Sequence, residues 1–329
     1  MNDNWQNTLS VLKQRFGDKV QENYPFSKLT TLEIGGPIKA FIEVTTVDEL
    51  TAVLNFAQEH NLPFLVIGGG SNLLVSDEPV EMLVIKNSIT GVTDNGDGTL
   101  AVAAGTNLGT LVDFTIEHGL DGMSTMKGIP GSVGGAIYGS AGAYGDNIRD
   151  HLLSVTYLDH GQVKTLRKDE FTTGYRDSFF KKDKNLIIIS AVFGDFGQAD
   201  SEHLKAESEQ ILIKRTDKYP PNTKCPGSFF KNVIATDIDS EVLKKIPQEK
   251  IMYGKIPAGY LLESVGAKED FLGAIRIASN HANTFFNTGN GTAKDFYALA
   301  KKYQQKVKDE YGILLEPEVQ FVNLPALEA

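Results

Sequence analysis

The sequence predicts a protein of mixed helices and strands divided into domains, and three observations carry that reading. The chain has 329 residues, more than one small core organises, so two or three domains are expected. Its 41% hydrophobic and 22% charged residues are the proportions of an ordinary globular protein. Apolar patterns of helical and strand period follow one another to about residue 195, after which a distinct set of elements begins.

Taken in order, residues 7–16 read as a short amphipathic helix, followed by a polar, turn-rich stretch to Pro25. Residues 39–44 read as a strand. Thr46-Val47-Asp48-Glu49 has the form of a capping box, in which Thr46 accepts from the Glu49 amide and Glu49 reaches back. The helix it opens runs to His60 and sets Leu50, Val53, Leu54 and Ala57 on one face. A short apolar strand over 63–67 ends abruptly in glycines. Strands are predicted at 82–86 and 100–103, a helix over 108–118, and further strands at 153–158, 162–166 and 186–193. Residues 202–215 read as a polar helix, broken by Lys218-Tyr219-Pro220-Pro221-Asn222. Thr292 caps a long helix with Phe296, Leu299, Tyr303 and Val307 in one stripe, ending at Tyr311-Gly312. A last strand covers 318–322, and a domain boundary is placed near residue 197.

A formal charge of −10 argues against a general nucleic-acid binder, since neutralising phosphates needs a basic surface. It leaves room for a small anionic substrate in a locally basic cleft. The single cysteine, Cys225, permits neither an internal disulfide nor a clustered-cysteine metal site, and no metal is expected. Met1-Asn2-Asp3-Asn4-Trp5 lacks the basic start and apolar run of a signal peptide, and the strongest apolar stretch, near 186–192, is far short of a membrane span. A soluble, cytoplasmic chain without a membrane partner is expected.

Two segments suggest phosphate binding. One is Gly68-Gly69-Gly70-Ser71-Asn72, after a strand. The other runs through Gly128-Ile129-Pro130-Gly131-Ser132-Val133-Gly134-Gly135-Ala136 to Gly145, and its seven glycines are too many for an ordinary helix or strand interior. Glycine lets successive amides approach an anion with no side chain in between. Neither segment carries the Rossmann or P-loop fingerprint, so a phosphate ligand would be held in another fold.

Three polar clusters lie outside these loops: Arg176 in Gly174-Tyr175-Arg176-Asp177-Ser178, Ser228 in Gly227-Ser228-Phe229-Phe230-Lys231-Asn232, and Glu318 in Leu315-Glu316-Pro317-Glu318-Val319. Taken singly, each has an ordinary structural explanation as an ion-pair partner, a turn residue or a solvated carboxylate. No histidine stands near a Gly-x-Ser-x-Gly elbow, so a serine hydrolase is disfavoured. His281 alone cannot make a metal site, and Cys225 reads as a packed small residue.

In chain order, six blocks resemble the UDP-N-acetylenolpyruvoylglucosamine reductase family. They are Gly68-Gly69-Gly70-Ser71-Asn72-Leu73-Leu74-Val75, the 128–136 glycine segment, Ala141-Gly142-Ala143-Tyr144-Gly145, Tyr175-Arg176-Asp177-Ser178, Gly227-Ser228-Phe229-Phe230-Lys231-Asn232, and His281-Ala282-Asn283. The resemblance as a whole runs from Thr31-Leu32-Glu33-Ile34-Gly35-Gly36-Pro37 to Leu315-Glu316-Pro317-Glu318-Val319, almost the whole chain. The resemblance implies an α+β fold: an FAD-binding unit of the vanillyl-alcohol-oxidase type over 1–196, with two subdomains split near residue 90, and an α+β substrate-binding domain over 197–329. It implies noncovalent FAD held by Gly68, Gly69, Gly70, Ser71, Asn72, Leu73, Gly128, Ile129, Pro130, Ser132, Val133, Gly135, Ala136 and Gly145.

The implied reaction uses NADPH to reduce FAD, which passes hydride to C3 of UDP-N-acetylglucosamine enolpyruvate to give UDP-N-acetylmuramate for peptidoglycan synthesis. Ser228 would protonate C2, Arg176 would stabilise the developing enolate, and Glu318 would be the acidic partner of the carboxylate. Tyr175, Lys218, Lys231 and Asn232 are the implied substrate contacts. Ser140 stands where the family often has asparagine, and Val233 where proline is common. The short interval from Arg176 to Ser228 implies the subtype lacking a substrate-covering tyrosine loop, and a monomer is expected. Two alternatives stay open at this point: another flavin oxidase or dehydrogenase of the same superfamily, and a nucleotide-sugar-binding protein without catalysis.

Overall fold

A computed structural model describes residues 2–171 and 174–327. The chain divides into two compact units, one of residues 1–24, 38–69 and 81–214, the other of residues 25–37, 70–80 and 215–329. The sequence expectation of one cut near 197 has the chain cross between domains once. Here it crosses repeatedly, because residues 25–37 and 70–80 cluster with the C-terminal part.

The first unit holds two hydrophobic cores. In one, the strands Pro37–Val44, Val80–Asn87 and Phe64–Ile67 lie side by side in that order, and the last two run parallel. The helix Val47–Glu59 buries Leu50, Val53, Leu54, Phe56 and Ala57 against them, the face expected from their spacing. Thr46 caps it by accepting from the Glu49 amide at 3.2 Å. The reciprocal half of the capping box is displaced by one residue: the Glu49 carboxylate accepts from the Thr45 amide at 3.0 Å.

The other core lies on an antiparallel sheet ordered Gln162–Arg167, Leu152–Asp159, Leu186–Phe193, Leu100–Ala103, Val92–Asp94. Leu186–Phe193 reads as an apolar run, interrupted only by Ser190, because both its faces are covered. Ile187 and Ile189 face the first core, whereas Ile188, Ala191 and Phe193 face the second. The alternation changes phase at a bulge, where Thr156 pairs with Ser190 but Tyr157 pairs with Ile188. Helices Leu108–Glu117 and Val133–Gly139 pack on this core.

The second helix corrects an expectation. Residues 128–145 are not loop throughout: Ser132 accepts from the Gly135 amide and opens a two-turn helix despite Gly134, Gly135 and Gly139. Gly134 serves close packing, since a Cβ there would come within 2.9 Å of the Ala104 Cβ. Ser140 ends the helix in the left-handed region, with φ 48°.

In the second unit, helix Ala293–Tyr311 buries Phe296, Leu299, Tyr303 and Val307 in a core with Phe229, Phe230 and Phe285. Thr292 caps its start, and the Asp77 carboxylate accepts from the Ala293 and Lys294 amides at 2.9 and 3.1 Å. Gly312, with φ 69°, ends it and donates its N–H to Lys308 O. Phe271–Leu272, Ile275–Ile277 and Phe285–Asn287 form an antiparallel sheet, and Gln320–Val322 runs parallel to Leu73–Val75.

Asp270 ties this helix to its loop, accepting from Lys302 Nζ at 2.7 Å and Tyr303 Oη at 2.6 Å. Those two bonds hold its carboxyl down at about 2. A carboxylate lowered in the folded state stabilises above its unfolded pKa, and that stabilisation is lost as pH falls through the folded value. Asp270→Asn is therefore expected to lower stability by about 1–2 kcal/mol at neutral pH, allowing for partial solvent screening. The difference from the parent should shrink below pH 4 and vanish only below pH 2 in chemical denaturation.

Candidate active site

Residues 228–232 run as an extended segment between two partners in the second unit, paired through isolated bridges. On one side Ser228 pairs with Thr284, Phe229 N–H donates to Asn283 O at 2.9 Å, and the Asn283 side chain holds both Phe230 N–H and Phe230 O. On the other side Phe230 pairs with Pro317, Lys231 N–H donates to Glu316 O, and Glu318 N–H donates to Phe229 O at 2.7 Å. Pro317 suits this register because its position needs no ladder donor. The two flanking bonds bring Ser228 and Glu318 into one neighbourhood, although 90 positions separate them in the sequence.

The same neighbourhood takes in part of the first glycine run. Asn72 Nδ2 donates to Glu318 O at 3.2 Å, and Leu73 is paired with Gln320. Gly70 has φ 61°, and a Cβ there would stand 1.7 Å from Leu29 O, so a side chain cannot be carried. Ser71 is half-buried beside it. Lys231 Nζ bonds Glu316 at 3.0 Å, and Asn232 Oδ1 accepts from Ala258 N–H at 3.1 Å.

Lys218 is the last residue of the helix Ser201–Lys218. It keeps an exposed surface, yet the protein packed about its ammonium, and then Arg215, lower its pKa. Burial, followed by Lys218 and Lys268, holds His281 at about 3, so its imidazole is neutral. Cys225 is buried and its thiol is pushed up by that burial, as suits a packed group and not a nucleophile.

Arg176 belongs to the first unit. It sits at φ 56°, and its guanidinium donates to Ser140 O and Gly142 O, each at 3.0 Å, with the Tyr175 ring 5.5 Å away. The planar fork is thereby fixed against the second glycine segment. Ser140, where the family often has asparagine, bonds Asn147 through both its side chain and its carbonyl.

The rest of the predicted cofactor residues of this unit gather where its two glycine segments meet. A Cβ on Gly69 would lie 2.9 Å from Gly131 Cα, and one on Gly68 would lie 2.1 Å from Ser132 Oγ. Gly69, Gly128, Pro130 and Gly135 are exposed, and Ile129 is half-buried. This bare backbone surface fits a diphosphate-bearing ligand. The amides of Val133, Gly135 and Ala136 already donate within the protein, to Thr106 O, Ser132 Oγ and Ser132 O, so there the segment contributes shape. Gly145, at φ 108°, follows Tyr144 in the tight turn joining Gly142–Ala143 to Asp146–Asn147. Among the described residues no group of His, Cys, Asp and Glu could hold a metal, and no helix is long and apolar enough to cross a membrane.

Sequence reasoning missed Tyr219, whose Oη is 2.8 Å from Ser228 Oγ. It appeared there as a residue of a helix-breaking stretch, and its sequence signal was an aromatic ahead of Pro220-Pro221. Asn283 was noted only within a motif, with nothing to show that it clamps Phe230.

Comparison with known proteins identifies the family. A family model for the FAD binding domain matches residues 38–167, and one for the UDP-N-acetylenolpyruvoylglucosamine reductase C-terminal domain matches residues 219–322. The chain is 38% identical over 305 residues to the UDP-N-acetylenolpyruvoylglucosamine reductase of Solibacter usitatus, covering 92% of this chain and 97% of that one. It is 35% identical over 298 residues to the reductase of Thermotoga petrophila, covering 90% and 97%. The crystal structure of UDP-N-acetylenolpyruvylglucosamine reductase from Thermus caldophilus superposes with a TM-score of 0.72 at 28% identity, over 92% of this chain and 98% of that one. With both parts matched and nearly the full length covered, the chain belongs to the UDP-N-acetylenolpyruvoylglucosamine reductase family.

Proposed function

We propose that this protein is an FAD-dependent oxidoreductase that uses NADPH to reduce UDP-N-acetylglucosamine enolpyruvate to UDP-N-acetylmuramate, a step of peptidoglycan precursor synthesis. Full-length similarity to reductases of this name supports the activity. For the site, the supporting observation is the pair of bonds that flank residues 228–232 and bring Ser228 beside Glu318.

FAD, held by the two glycine segments, would supply the hydride chemistry that links NADPH to C3 of the substrate double bond. Ser228 gives its hydroxyl proton to C2. A serine hydroxyl is a weak acid, but an enolate-like carbon is a strong base, and a preset geometry removes the cost of finding it. Arg176, its plane held by two carbonyls, stabilises negative charge as it moves onto the carboxylate. Glu318, its backbone tied to Phe229, is the acidic partner of that carboxylate. Tyr175, Lys218, Lys231 and Asn232 bind the remaining anionic and polar parts of the substrate.

In this reading residues 1–196 supply most of the FAD-binding part, with subdomains meeting near residue 90, and residues 197–329 most of the substrate-binding part, with which residues 25–37 and 70–80 cluster. Gly68 to Leu73, Gly128 to Pro130, Ser132, Val133, Gly135, Ala136 and Gly145 hold FAD noncovalently. The protein acts as a cytoplasmic monomer of the subtype without the tyrosine loop, and has no nucleic-acid partner.

The test is visible by eye. The purified protein should be yellow, bleach with NADPH in the absence of oxygen, and recolour when the enolpyruvyl sugar nucleotide is added. A protein that takes up no FAD would refute the reading. Bleaching without substrate-driven recolouring would point to another flavin oxidoreductase.

A further inference from the structure

Ser228 does not stand alone in its unit. Its Oγ lies 2.8 Å from Tyr219 Oη, at hydrogen-bond distance. If Ser228 must direct its own hydrogen at a substrate carbon, this second contact has to be one in which Ser228 accepts. The phenol is the partner able to donate.

We propose that Tyr219 is the positioning residue of the protonation step: it orients Ser228 by donating to it and replaces the proton that Ser228 gives up. The inference rests on the assignment of Ser228 as proton donor. In the step, the Ser228 O–H bond breaks as a C2–H bond forms on the substrate. The Tyr219 O–H bond breaks as a new Ser228 O–H bond forms. Water returns a proton to the phenolate before the next turnover. The transfer runs downhill because a phenol is a stronger acid than an alcohol, so a serine alkoxide takes a proton from Tyr219.

The surroundings suit that task. Tyr219 follows the end of the helix Ser201–Lys218, its N–H donates to Arg215 O at 2.7 Å, and Pro220 and Pro221 stop the helix there. The His281 ring stands edge-on to it, centroids 6.1 Å apart, and being neutral competes as neither cation nor acid. Burial is the largest influence on the Tyr219 hydroxyl and pushes its pKa up; Cys225 and Glu318 act the same way, while Ser228 and Thr284 oppose. The phenol therefore stays protonated, a proton in reserve, across neutral pH. Thr284 Oγ1, buried without a completed hydrogen bond, is a second hydroxyl that acts to lower the Tyr219 pKa and so favours a transient phenolate.

The experiment mixes prereduced enzyme with the enolpyruvyl sugar nucleotide for the parent, Tyr219→Phe, Ser228→Ala and the double variant. Tyr219→Phe is expected to slow reoxidation about 10–100-fold, the scale of one hydrogen bond to a charged group, while reduction by NADPH is unchanged. The double variant should match Ser228→Ala, because Tyr219 acts through the serine. The parent rate should fall at alkaline pH as Tyr219 ionises, and Tyr219→Phe should lack that limb. A parent-like rate for Tyr219→Phe beside a slow Ser228→Ala would overturn this proposal and leave Ser228 standing. A parent-like rate for Ser228→Ala would overturn both. If Tyr219→Phe does not fold, difluorotyrosine at position 219, nearly isosteric and more acidic, should move the alkaline limb to lower pH, and an unmoved limb counts against the relay. Independently of turnover, the ring resonance of labelled Tyr219 should titrate at higher pH in Ser228→Ala, and titration at the parent pH would contradict the bond.

Discussion

Ser228→Ala is expected to slow reoxidation of the reduced enzyme by the enolpyruvyl substrate about 10²–10⁴-fold, the range of a lost general acid, while NADPH still bleaches the flavin at the parent rate. The asymmetry is the informative part. Hydride uptake from NADPH involves no protonation of the substrate carbon, so a proton donor has no role there. The residue is not among those with positive φ, and its side chain is not part of the aromatic core formed by Phe229, Phe230, Phe285 and Phe296. Rapid-mixing absorbance of the flavin in each half-reaction is the measurement. Equal slowing of both halves would remove Ser228 from the proton-donor role and leave a structural one.

Asn283→Ala is expected to lower stability by about 2–4 kcal/mol, since two buried backbone groups lose their partners at about 1–2 kcal/mol each, the lower part of the range for an unsatisfied group. Asn283 is 2% exposed, and its side chain accepts from Phe230 N–H at 2.9 Å and donates to Phe230 O at 2.8 Å. Phe230 itself is 1% exposed, so water does not replace either bond. The thermal midpoint should fall by roughly 5–10 °C. Because the same clamp aligns residues 228–232, reoxidation should also slow, whereas the parent midpoint retained with a parent rate would show the clamp to be dispensable. Asn283→Asp tests the geometry separately, as it keeps the acceptor for Phe230 N–H and removes the donor for Phe230 O.

Much of the fold was legible because its signals are local. Leu100–Ala103 and Leu186–Phe193 fall where their apolar runs end, and Ala293–Tyr311 is bounded by the Thr292 cap and Gly312 as its stripe and caps require. The helix Val133–Gly139 was not legible. Its glycines speak against a helix, and what permits one is a neighbour, Ala104, too close for a side chain at Gly134. Propensity lost to packing there. The short strand Leu73–Val75 escaped notice for a related reason, since its partner Gln320–Val322 lies at the far end of the chain.

The candidate site divides along the same line. The sequence by itself determined the residue types and their order: glycine segments with no room for side chains, a fixed cation at Arg176, a hydroxyl at Ser228, a carboxylate at Glu318. It also determined the family they resemble, which full-length similarity then bore out. Tertiary structure alone decided which groups share hydrogen bonds. Glu318 meets Phe229 through a backbone pair, Asn72 reaches the Glu318 carbonyl across 246 positions, and Tyr219 bonds Ser228 around the turn made by Pro220 and Pro221. The physical reason is that a hydrogen bond depends on separations of about 3 Å and on direction, whereas local sequence patterns encode only what one helix or strand buries.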